Sequence, residues 1–215
     1  MISREALPSV LITIAAAAFF ALFPRNRLCR FLLCVSVSIL LFLVYFFRDP
    51  AREISPDENV LLSPADGRVT GIRECGDHLL VHIFMSPLDV HINRAPCSGT
   101  VQRIEYRPGR FLPAYNPQAD TENESNELTI SRNDGIITVR QISGILARKI
   151  VCRVKIGSDL SQGQKIGMIK LGSGCEITFP RHYAVAVREG DHVQAGLTVI
   201  AARTDLAPDK NPPVQ

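Results

Sequence analysis

The sequence lacks several patterns that mark common classes of protein. Its six cysteines form no CxxC pair and no closely spaced series, so neither a zinc site nor a disulfide framework is indicated. Free thiols of this kind are typical of a reducing compartment. The net charge is only +3 and the basic residues are scattered, so the sequence has no nucleic-acid footprint and we expect no nucleic-acid partner.

Two long apolar runs stand near the N-terminus. Residues 7–23 and 31–47 contain no charged side chain, and each run is about 25 Å long as a helix, near the short limit for crossing a bilayer. The intervening PRNRLCR contains Pro24 and three arginines, which favours a turn between membrane helices. We therefore predict a membrane anchor with two helices over residues 1–50. A signal peptide or a single span is the alternative, and the second apolar run disfavours cleavage of a signal.

The charges beside these runs assign no orientation. A hairpin places three arginines on each side of the membrane: Arg25, Arg27 and Arg30 on one, and Arg4, Arg48 and Arg52 on the other. The positive-inside rule therefore leaves the membrane topology open.

Short β-branched runs separated by glycine and proline dominate residues 51–215, which predicts one mostly β domain. The stretch ILARKIVCRVKI alternates: Leu146, Ile150, Cys152, Val154 and Ile156 share one face, and Lys149, Arg153 and Lys155 share the other. This alternation predicts a strand with one buried face. The polar stretch YNPQADTENESNE, residues 115–127, predicts instead a long loop or a short irregular helix over the surface.

Two internal repeats narrow the architecture. Residues 154–166 match residues 187–199 at an offset of 33, and residues 63–72 match residues 95–104 at an offset of 32. Both pairs resemble the half-motifs of biotinyl and lipoyl domains, in which two similar β-units interlock into a flattened barrel. We expect the repeated glycines to form tight turns or close backbone contacts. The predicted domain is therefore all-β with barrel-sandwich, lipoyl-like features.

The histidines offer few metal ligands. His78 and His82 are four apart in DHLLVHIFM, which reads as a strand, and positions four apart on a strand lie about 13 Å from each other, so we predict no metal site. His192 falls in a polar turn. His91 is more distinctive, because SPLDVHINRAP crowds it with other polar residues between two prolines. The residues alone leave a polar strand end as the alternative.

Ser173 and Asp66 also have ordinary explanations. Asp66 in SPADG fits an Asp-Gly turn. Ser173 in KLGSGCEITFP lacks both the GxSxG elbow and the spacing and lysine of a phosphate loop. Gly172 leaves its carbonyl unshielded and widens the accessible backbone conformations, which suits attack by the Ser173 hydroxyl on the preceding peptide bond. A structural turn is the alternative.

Five stretches in order resemble the phosphatidylserine decarboxylases, pyruvoyl-dependent enzymes made as proenzymes, and in particular their short bacterial and archaeal branch. The stretches are FFRDPAR, SPADGRV, MSPLDVHINRAP, ENESN and KLGSGCEITFP. They cover nearly the whole chain. The resemblance implies self-cleavage between Gly172 and Ser173 into a β chain of residues 1–172 and an α chain of residues 173–215, which should remain associated.

The same resemblance implies the cofactor and the reaction. The Ser173 oxygen attacks the Gly172 carbonyl carbon, an ester forms by an N-to-O acyl shift, and β-elimination with loss of ammonia leaves a covalent pyruvoyl group. That group forms a Schiff base with the amine of phosphatidylserine and accepts the electrons released with carbon dioxide. A proton donor must then complete the conversion to phosphatidylethanolamine, and a histidine suits this role at neutral pH.

Further site residues follow by resemblance. Asp66 matches the aspartate of a triad that drives self-cleavage, and His91 matches a histidine that handles protons in maturation, decarboxylation or both. Two departures stand out. Arg94 occupies the position of a second histidine in the longer bacterial branch, so the base in cleavage stays open, and Gly174 replaces a common threonine.

The expected partner is a phospholipid substrate in the membrane. The sequence leaves open whether this lipid has a diacyl or an archaeal backbone. It also leaves open whether the protein forms a homo-oligomer. A membrane anchor would hold the enzyme beside its lipid. Lipid synthesis in the cytoplasm favours the cell (inner) membrane with the catalytic domain on the cytoplasmic side. A non-enzymatic membrane-anchored adaptor with lipoyl-like half-motifs is the alternative function. A lipoyl or biotinyl carrier is less favoured, because Lys170 lacks the flanking residues of an attachment turn.

Overall fold

The computed structural model describes residues 2–112, 118–144, 149–170 and 173–204. The chain divides into two compact units, residues 1–51 and 52–215. The proposed cleavage site therefore falls in the second unit. Gly172 itself lies outside the described residues, as does Leu146 of the predicted alternating strand.

The first unit is a pair of apolar helices. A 3-10 turn at Arg4–Ala6 leads into α1 (Leu7–Ala21), and α2 spans Arg27–Phe46. The Asn26 side chain accepts hydrogen bonds from the backbone of Leu28 and Cys29 and caps α2, which begins four residues before the predicted apolar run. By length and composition, Arg4–Ala21 and Arg27–Phe46 could each cross a membrane. Two apolar helices stand where the anchor was predicted.

The second unit is mostly β, as predicted. The strands are β1 (Val60–Leu62), β2 (Gly67–Cys75), β3 (His78–Met85), β4 (Ile92–Arg94), β5 (Gly99–Arg107), β6 (Ser125–Arg132), β7 (Gly135–Ile142), β8 (Ile150–Cys152), β9 (Asp159–Leu160), β10 (Lys165–Ile169), β11 (Ser173–Pro180), β12 (Tyr183–Val185), β13 (His192–Val193) and β14 (Val199–Arg203). One short helix, α3 (Ala119–Glu122), interrupts them. All pairings between these strands are antiparallel.

The strands form one large sheet and two small ones. The large sheet has eight strands in the order β13-β2-β3-β11-β7-β6-β5-β9, and the small sheets have the orders β1-β14-β12 and β4-β10-β8. In the large sheet β11 lies between β3 and β7. Most of the buried hydrophobic side chains of this unit belong to one continuous core, which includes alternate residues of β3, β7 and β11.

The internal repeats interlock as predicted. The amide of Gly190 donates to the carbonyl oxygen of Val69 at 2.8 Å, and the matching amide of Gly157 donates to Val101 at 2.8 Å. Residues 63–72 therefore bond to residues 187–199, and residues 95–104 bond to residues 154–166. Gly163 and Gly196 occupy matching left-handed turns with φ of 77° and 73°, conformations that glycine adopts without steric cost. The barrel-sandwich prediction is confirmed.

Two local predictions are corrected. The alternating stretch forms only the three-residue strand β8, and Ile156 is 64% exposed rather than buried, because the chain turns away from the core at Gly157. In residues 115–127 the short helix is present as α3, but Asn123, Glu124 and Ser125 are buried and β6 begins at Ser125. Polar composition indicated a surface loop there, and neighbouring strands bury it instead.

Candidate active site

Position 173 is the first residue of β11, a central strand of the large sheet. It lies beside Met85, the last residue of β3. The backbone of Ser173 is in register with Met85 on β3, and the next residue, Gly174, is in register with Phe84 on β3 and Ile142 on β7. Both neighbouring strands precede residue 172 in the chain. The segment that follows the proposed break is therefore held on both sides by strands from the segment that precedes it.

His91 lies in the connection between β3 and β4 and is fully buried. The connection is a built turn: the Ser86 amide donates to a carboxylate oxygen of Asp89 at 2.8 Å, and the Asp89 amide donates back to the Ser86 carbonyl at 2.9 Å. The His91 Nδ1 lies 2.9 Å from the backbone oxygen of Asp89. A carbonyl oxygen only accepts, so Nδ1 carries the hydrogen of this bond. In the neutral ring, Nε2 is then the basic nitrogen.

Backbone contacts bring the His91 turn and the start of β11 to the same end of the sheet. The turn begins directly after Met85, the residue in register with position 173. The Ile169 amide donates to the His91 carbonyl at 3.1 Å, and Ile169 stands four positions before Ser173. A buried histidine whose Nδ1 bonds to a backbone carbonyl therefore lies on the segment next to the candidate serine.

Asp66 is buried and paired with an arginine. Both of its carboxylate oxygens lie 2.7 Å from the guanidinium of Arg52, and one also accepts from the Ala195 amide at 2.8 Å. Arg52 additionally donates to the Ala195 carbonyl. Among the residues that the structure describes, none of these hydrogen bonds connects Asp66 to His91. The carboxylate thus ties the start of the second unit to the turn before β14.

Arg94 has a structural place of its own. It is 6% exposed, and its Nη1 donates to the carbonyl oxygen of Gly163 at 2.9 Å. Its Cδ also packs where a side chain at Gly196 would stand, 3.0 Å from the position of that Cβ. Arg94 therefore contacts both repeated glycine turns, which gives this arginine a structural role.

Three buried side-chain amides, which the sequence did not reveal, form a hydrogen-bonded series next to the candidate site. Gln141 Nε2 donates to Asn93 Oδ1 at 2.8 Å, and Asn126 Nδ2 donates to Gln141 Oε1 at 3.0 Å. Asn93 also approaches the Met85 sulfur at 3.9 Å. The close approach of Gln141 requires Gly167, because a Cβ there would meet Gln141 Nε2 at 2.9 Å. These residues were visible as polar letters within strand patterns, but nothing in the sequence paired them.

Ser143 supplies a buried hydroxyl at the position on β7's end that lies opposite residue 173. It follows Ile142, the partner of Gly174, and its amide bonds to the Glu124 carbonyl at 2.8 Å. Its Oγ is buried and finds no hydrogen-bond partner among the described residues. A buried donor without a partner costs free energy, so such a group calls for an explanation.

The cysteine closest to the site is inert. Cys175, two positions after Ser173, is fully buried, and this burial raises the pKa of its thiol far above the usual range, with the Glu176 charge adding to the effect. Since the thiolate is the nucleophilic form, Cys175 has no such role.

A cavity of about 400 Å³ lies elsewhere, at the opposite end of the strands. It is lined by Thr100, Arg132, Asp134 and Arg203, among others. Arg132 and Gly135 close the β6–β7 hairpin, whereas Ser125 and Ile142, at the other end of the same pair, lie beside the start of β11. Seven residues of strand separate the two ends by roughly 23 Å. The cavity is therefore distinct from the candidate site.

The sequence profile of one family, described as phosphatidylserine decarboxylase, matches residues 39–201. The chain belongs to this family. The matched range contains Asp66, His91 and Ser173. The protein is thus a decarboxylase of the phosphatidylserine decarboxylase family, and the expectation of an enzyme rather than a non-enzymatic adaptor is confirmed.

Individual relatives agree over most of their length. A phosphatidylserine decarboxylase proenzyme of Solibacter usitatus is 40% identical over 169 residues, which cover 79% of this chain and 82% of the relative. A proenzyme of the same name from Prosthecochloris aestuarii is 38% identical over 205 residues, covering 92% and 94%. A Methanosarcina barkeri protein, provisionally named archaetidylserine decarboxylase proenzyme, is 40% identical over 167 residues, covering 78% and 80%.

Proposed function

We propose that this protein decarboxylates phosphatidylserine to phosphatidylethanolamine with a covalent pyruvoyl group, which it forms from Ser173 by cleaving its own chain after Gly172. The observation that carries the proposal is the position of Ser173 at the start of a strand held on both sides, next to the buried turn of His91, in a chain of this family. When present, the pyruvoyl group condenses with the substrate amine and takes up the electron pair released with carbon dioxide.

The residues around position 173 fit such a group. Cleavage after Gly172 would leave a β chain of residues 1–172 and an α chain of residues 173–215. Their association follows from the sheet, because β11 of the α chain pairs with β3 and β7 of the β chain. The Ser143 hydroxyl, which has no hydrogen-bond partner among the described residues, lies opposite residue 173 in the register of the sheet, and a carbonyl oxygen there would satisfy it.

His91 is the proposed proton carrier. Its Nδ1–H bonds to the Asp89 carbonyl, and we assign to Nε2 the role of accepting a proton during self-cleavage or returning one to the substrate carbon after decarboxylation. A second histidine three positions later is replaced by Arg94, whose guanidinium bonds to Gly163. His91 is therefore the histidine of this turn that we assign to proton transfer.

We propose that Asp66 is a member of the cleavage triad and that it acts by positioning Arg52. Its carboxylate is bonded to Arg52 and to the Ala195 amide. The nearby Pro64 carbonyl accepts from the Arg94 amide at 2.9 Å. The Asp66 pair therefore braces the segment that supports the strand after His91.

Two lysines could recognise the anionic headgroup. The Lys170 amide donates to the Lys149 carbonyl at 3.2 Å, so the ends of strands β10 and β8 place two lysines at neighbouring backbone positions. Lysine side chains near a membrane surface attract anionic lipid headgroups. Lys170 stands three residues before Ser173, at most about 11 Å along the chain. The phosphate of the lipid headgroup is the anion that we propose for this pair.

The helices of the first unit fit a lipid substrate. Many of their large apolar side chains are exposed, among them Ile12 at 70% and Leu41 at 65%, as expected of surfaces that contact acyl chains. We propose that α1 and α2 anchor the enzyme in the cell membrane with the catalytic unit on the cytoplasmic side, where its substrate is made. The relative named for archaetidylserine makes an archaeal lipid backbone the alternative substrate.

Intact-mass analysis of the purified full-length chain tests the proposal. We expect two fragments, 1–172 and 173–215, with an α chain that is blocked to Edman degradation and reacts with hydrazine. Ser173→Ala should give one intact chain, while the matched variant Ser131→Ala, at the far end of β6, should be cleaved as the unmodified protein is. An unmodified protein that stays intact on long incubation, or a Ser173→Ala protein that is cleaved, would contradict self-cleavage at this bond.

A further inference from the structure

Gly174, the second residue of the proposed α chain, is enclosed by a histidine of the β chain. A Cβ built on Gly174 would lie 2.8 Å from Nε2 of His82 and 3.4 Å from its Cε1. Contacts below about 3.0 Å are sterically forbidden between such atoms. The imidazole of His82 therefore occupies the space that a side chain at position 174 would need.

The position of His82 is determined by its neighbours. Its Nδ1 lies 2.6 Å from the Thr70 hydroxyl on β2, and its backbone is in register with Glu176 on β11. Glu176 is paired with Arg140 at 3.3 Å, and Arg140 is in register with Glu127. Groups of alternating charge thus form a row across β6, β7 and β11, and His82 stands at its end. The Thr70 bond therefore helps to hold the ring against Gly174.

The contact lies on the face of the sheet that does not form the core. Val81, Ile83 and Met85 of β3 face the core cluster, as do Cys175 and Ile177 of β11. His82 and Gly174 alternate with these residues and occupy the other face. His82 thus supports the start of β11 from outside the core, independently of the buried turn that carries His91.

A support of this kind becomes important once the bond before residue 173 is broken. A strand that begins at a chain end frays more readily than one that continues, and a glycine near that end adds conformational freedom and has no side chain to pack. A loose end would spread the pyruvoyl carbonyl over many orientations, and misplacement of a reacting group by about 1 Å can cost 100-fold in rate.

We propose that His82 is a positioning residue of the β chain, whose imidazole packs over Gly174 and holds the first residues of the α chain in the sheet, so that the pyruvoyl group keeps a single orientation. The proposal rests on the self-cleavage proposed above. It assigns His82, a histidine that sequence reasoning set aside as part of a strand, to the geometry of the reactive end. It also explains why position 174 is a glycine in this chain.

A double-mutant cycle in the full-length protein tests the pairing. We expect His82→Ala to slow cleavage and to lower kcat per pyruvoyl group about tenfold with KM unchanged, because the reactive end is loosened while the lipid contacts remain. Gly174→Thr should also lower both rates, since the new side chain displaces the ring. The double variant should be faster than either single variant, with a coupling in the range of about 2- to 100-fold.

Matched variants separate positioning from general damage. His78→Ala removes a histidine from the same strand and face, opposite Pro180 at the far end of β11, and should leave cleavage and kcat unchanged. Gly71→Thr adds the same side chain where a Cβ would meet nothing closer than 3.8 Å, and should be tolerated. His82→Gln, which can still bond to Thr70 and fill part of the space, should retain more activity than His82→Ala.

Two results would overturn the inference: wild-type rates in both His82 variants, or effects of His82→Ala and Gly174→Thr that multiply without rescue. If either single variant fails to fold, the milder pair His82→Gln and Gly174→Ala gives the same cycle. The proposed function fails separately, through an unmodified chain that is never cleaved. Normal cleavage together with an uncoupled cycle therefore contradicts the role of His82 alone.

Discussion

At the scale of single residues, the surroundings of His91 determine which of its ring nitrogens can carry a proton. The Asp89 carbonyl oxygen, 2.9 Å from Nδ1, can only accept a hydrogen bond, so the neutral ring presents Nε2 as a base. The Asp89 carboxylate is occupied by the Ser86 amide and shapes the turn rather than binding the ring. The backbone thus orients His91, and the role of the imidazole can be tested by removing it.

We expect His91→Ala to abolish decarboxylation, with or without loss of cleavage, because proton transfer by a positioned side chain contributes about 100- to 10,000-fold to a rate. Intact mass reports cleavage, and release of carbon dioxide from phosphatidylserine vesicles reports turnover. His192→Ala changes an exposed histidine of β13 and should behave as the unmodified protein does. Full turnover by His91→Ala would remove His91 from the mechanism.

The Asp66–Arg52 pair raises a separate question, whether Asp66 acts in maturation or only in stability. Both side chains are nearly buried, 11% and 7% exposed, and breaking a buried pair costs about 3 kcal/mol. We expect Asp66→Asn to lower the thermal midpoint, and Arg52→Gln to lower it by a similar amount. Cleavage rates are then compared at a temperature at which both variants are folded.

If Asp66 has a role in self-cleavage, Asp66→Asn should be cleaved more slowly than Arg52→Gln under those conditions. Equal rates in the two variants would instead assign Asp66 to stability alone.

At the scale of secondary structure, the ends of β8 and β10 bring Lys149 and Lys170 together near the start of β11. A lysine near an anionic lipid surface contributes about 1 kcal/mol to binding, which corresponds to roughly a fivefold change in affinity. We expect Lys149→Gln to raise KM for phosphatidylserine vesicles about fivefold at low salt, with little change in kcat. The difference should shrink at high salt because screening weakens charge interactions.

Lys155→Gln is the matched control for Lys149→Gln. Lys155 is an exposed lysine beyond the end of β8, near the turn at Gly157. We expect the KM of the Lys155→Gln variant to equal that of the unmodified enzyme. An equal rise in both variants would indicate general attraction to the membrane, and no rise in either would contradict the headgroup subsite.

At the scale of the whole molecule, we expect an ionic cluster at the end of the strands opposite the active site to contribute to stability in a pH-dependent way. Asp134 accepts hydrogen bonds from Arg132 at 2.8 Å and from the Tyr183 hydroxyl at 2.6 Å. Burial alone would raise the pKa of Asp134, but these hydrogen bonds outweigh it and hold the pKa below its ordinary value of 3.8. The same burial and the Asp134 bond raise the pKa of Tyr183 well above its usual range.

A carboxyl whose pKa is lower in the folded than in the unfolded chain contributes stability above the unfolded pKa, and this contribution is lost as the pH falls through the folded value. We therefore expect Asp134→Asn to destabilise the protein by about 3 kcal/mol at pH 7. The gap in thermal midpoint between the variant and the unmodified protein should narrow below about pH 4. Asp77→Asn, at an exposed turn, should show no such gap, and a pH-independent gap for Asp134→Asn would contradict the ionic explanation.

Much of the fold follows from local sequence. The two apolar runs predict α1 and α2, because an uninterrupted apolar stretch of that length is stable only in an apolar environment. The repeated glycines predict the matching turns at Gly163 and Gly196, since φ near 75° excludes most other residues. Alternation failed at Ile156, where the strand ends early. Polar composition was misleading at Asn123–Ser125, which are buried, because burial of polar residues depends on partners that a local pattern does not contain.

The candidate site, like the fold, was predictable from the sequence only in part. The order of the motifs pointed to Ser173, His91 and Asp66 from the sequence, and their roles in the reaction stay predictions. The partner of Asp66 is 14 residues away, Gln141 bonds to Asn93 across 48 residues, and His82 lies against Gly174 across the β3–β11 ladder.

The sequence by itself thus determined which segments are apolar, which residues turn the chain and where the bond proposed to break lies, because these depend on neighbouring residues. Only the tertiary structure decided which side chains meet. Strand order and register bring distant segments together, and a shift of one residue in register would reverse the faces of a whole strand. The contacts around position 173 depend on that register, and so does the contact of His82 with Gly174.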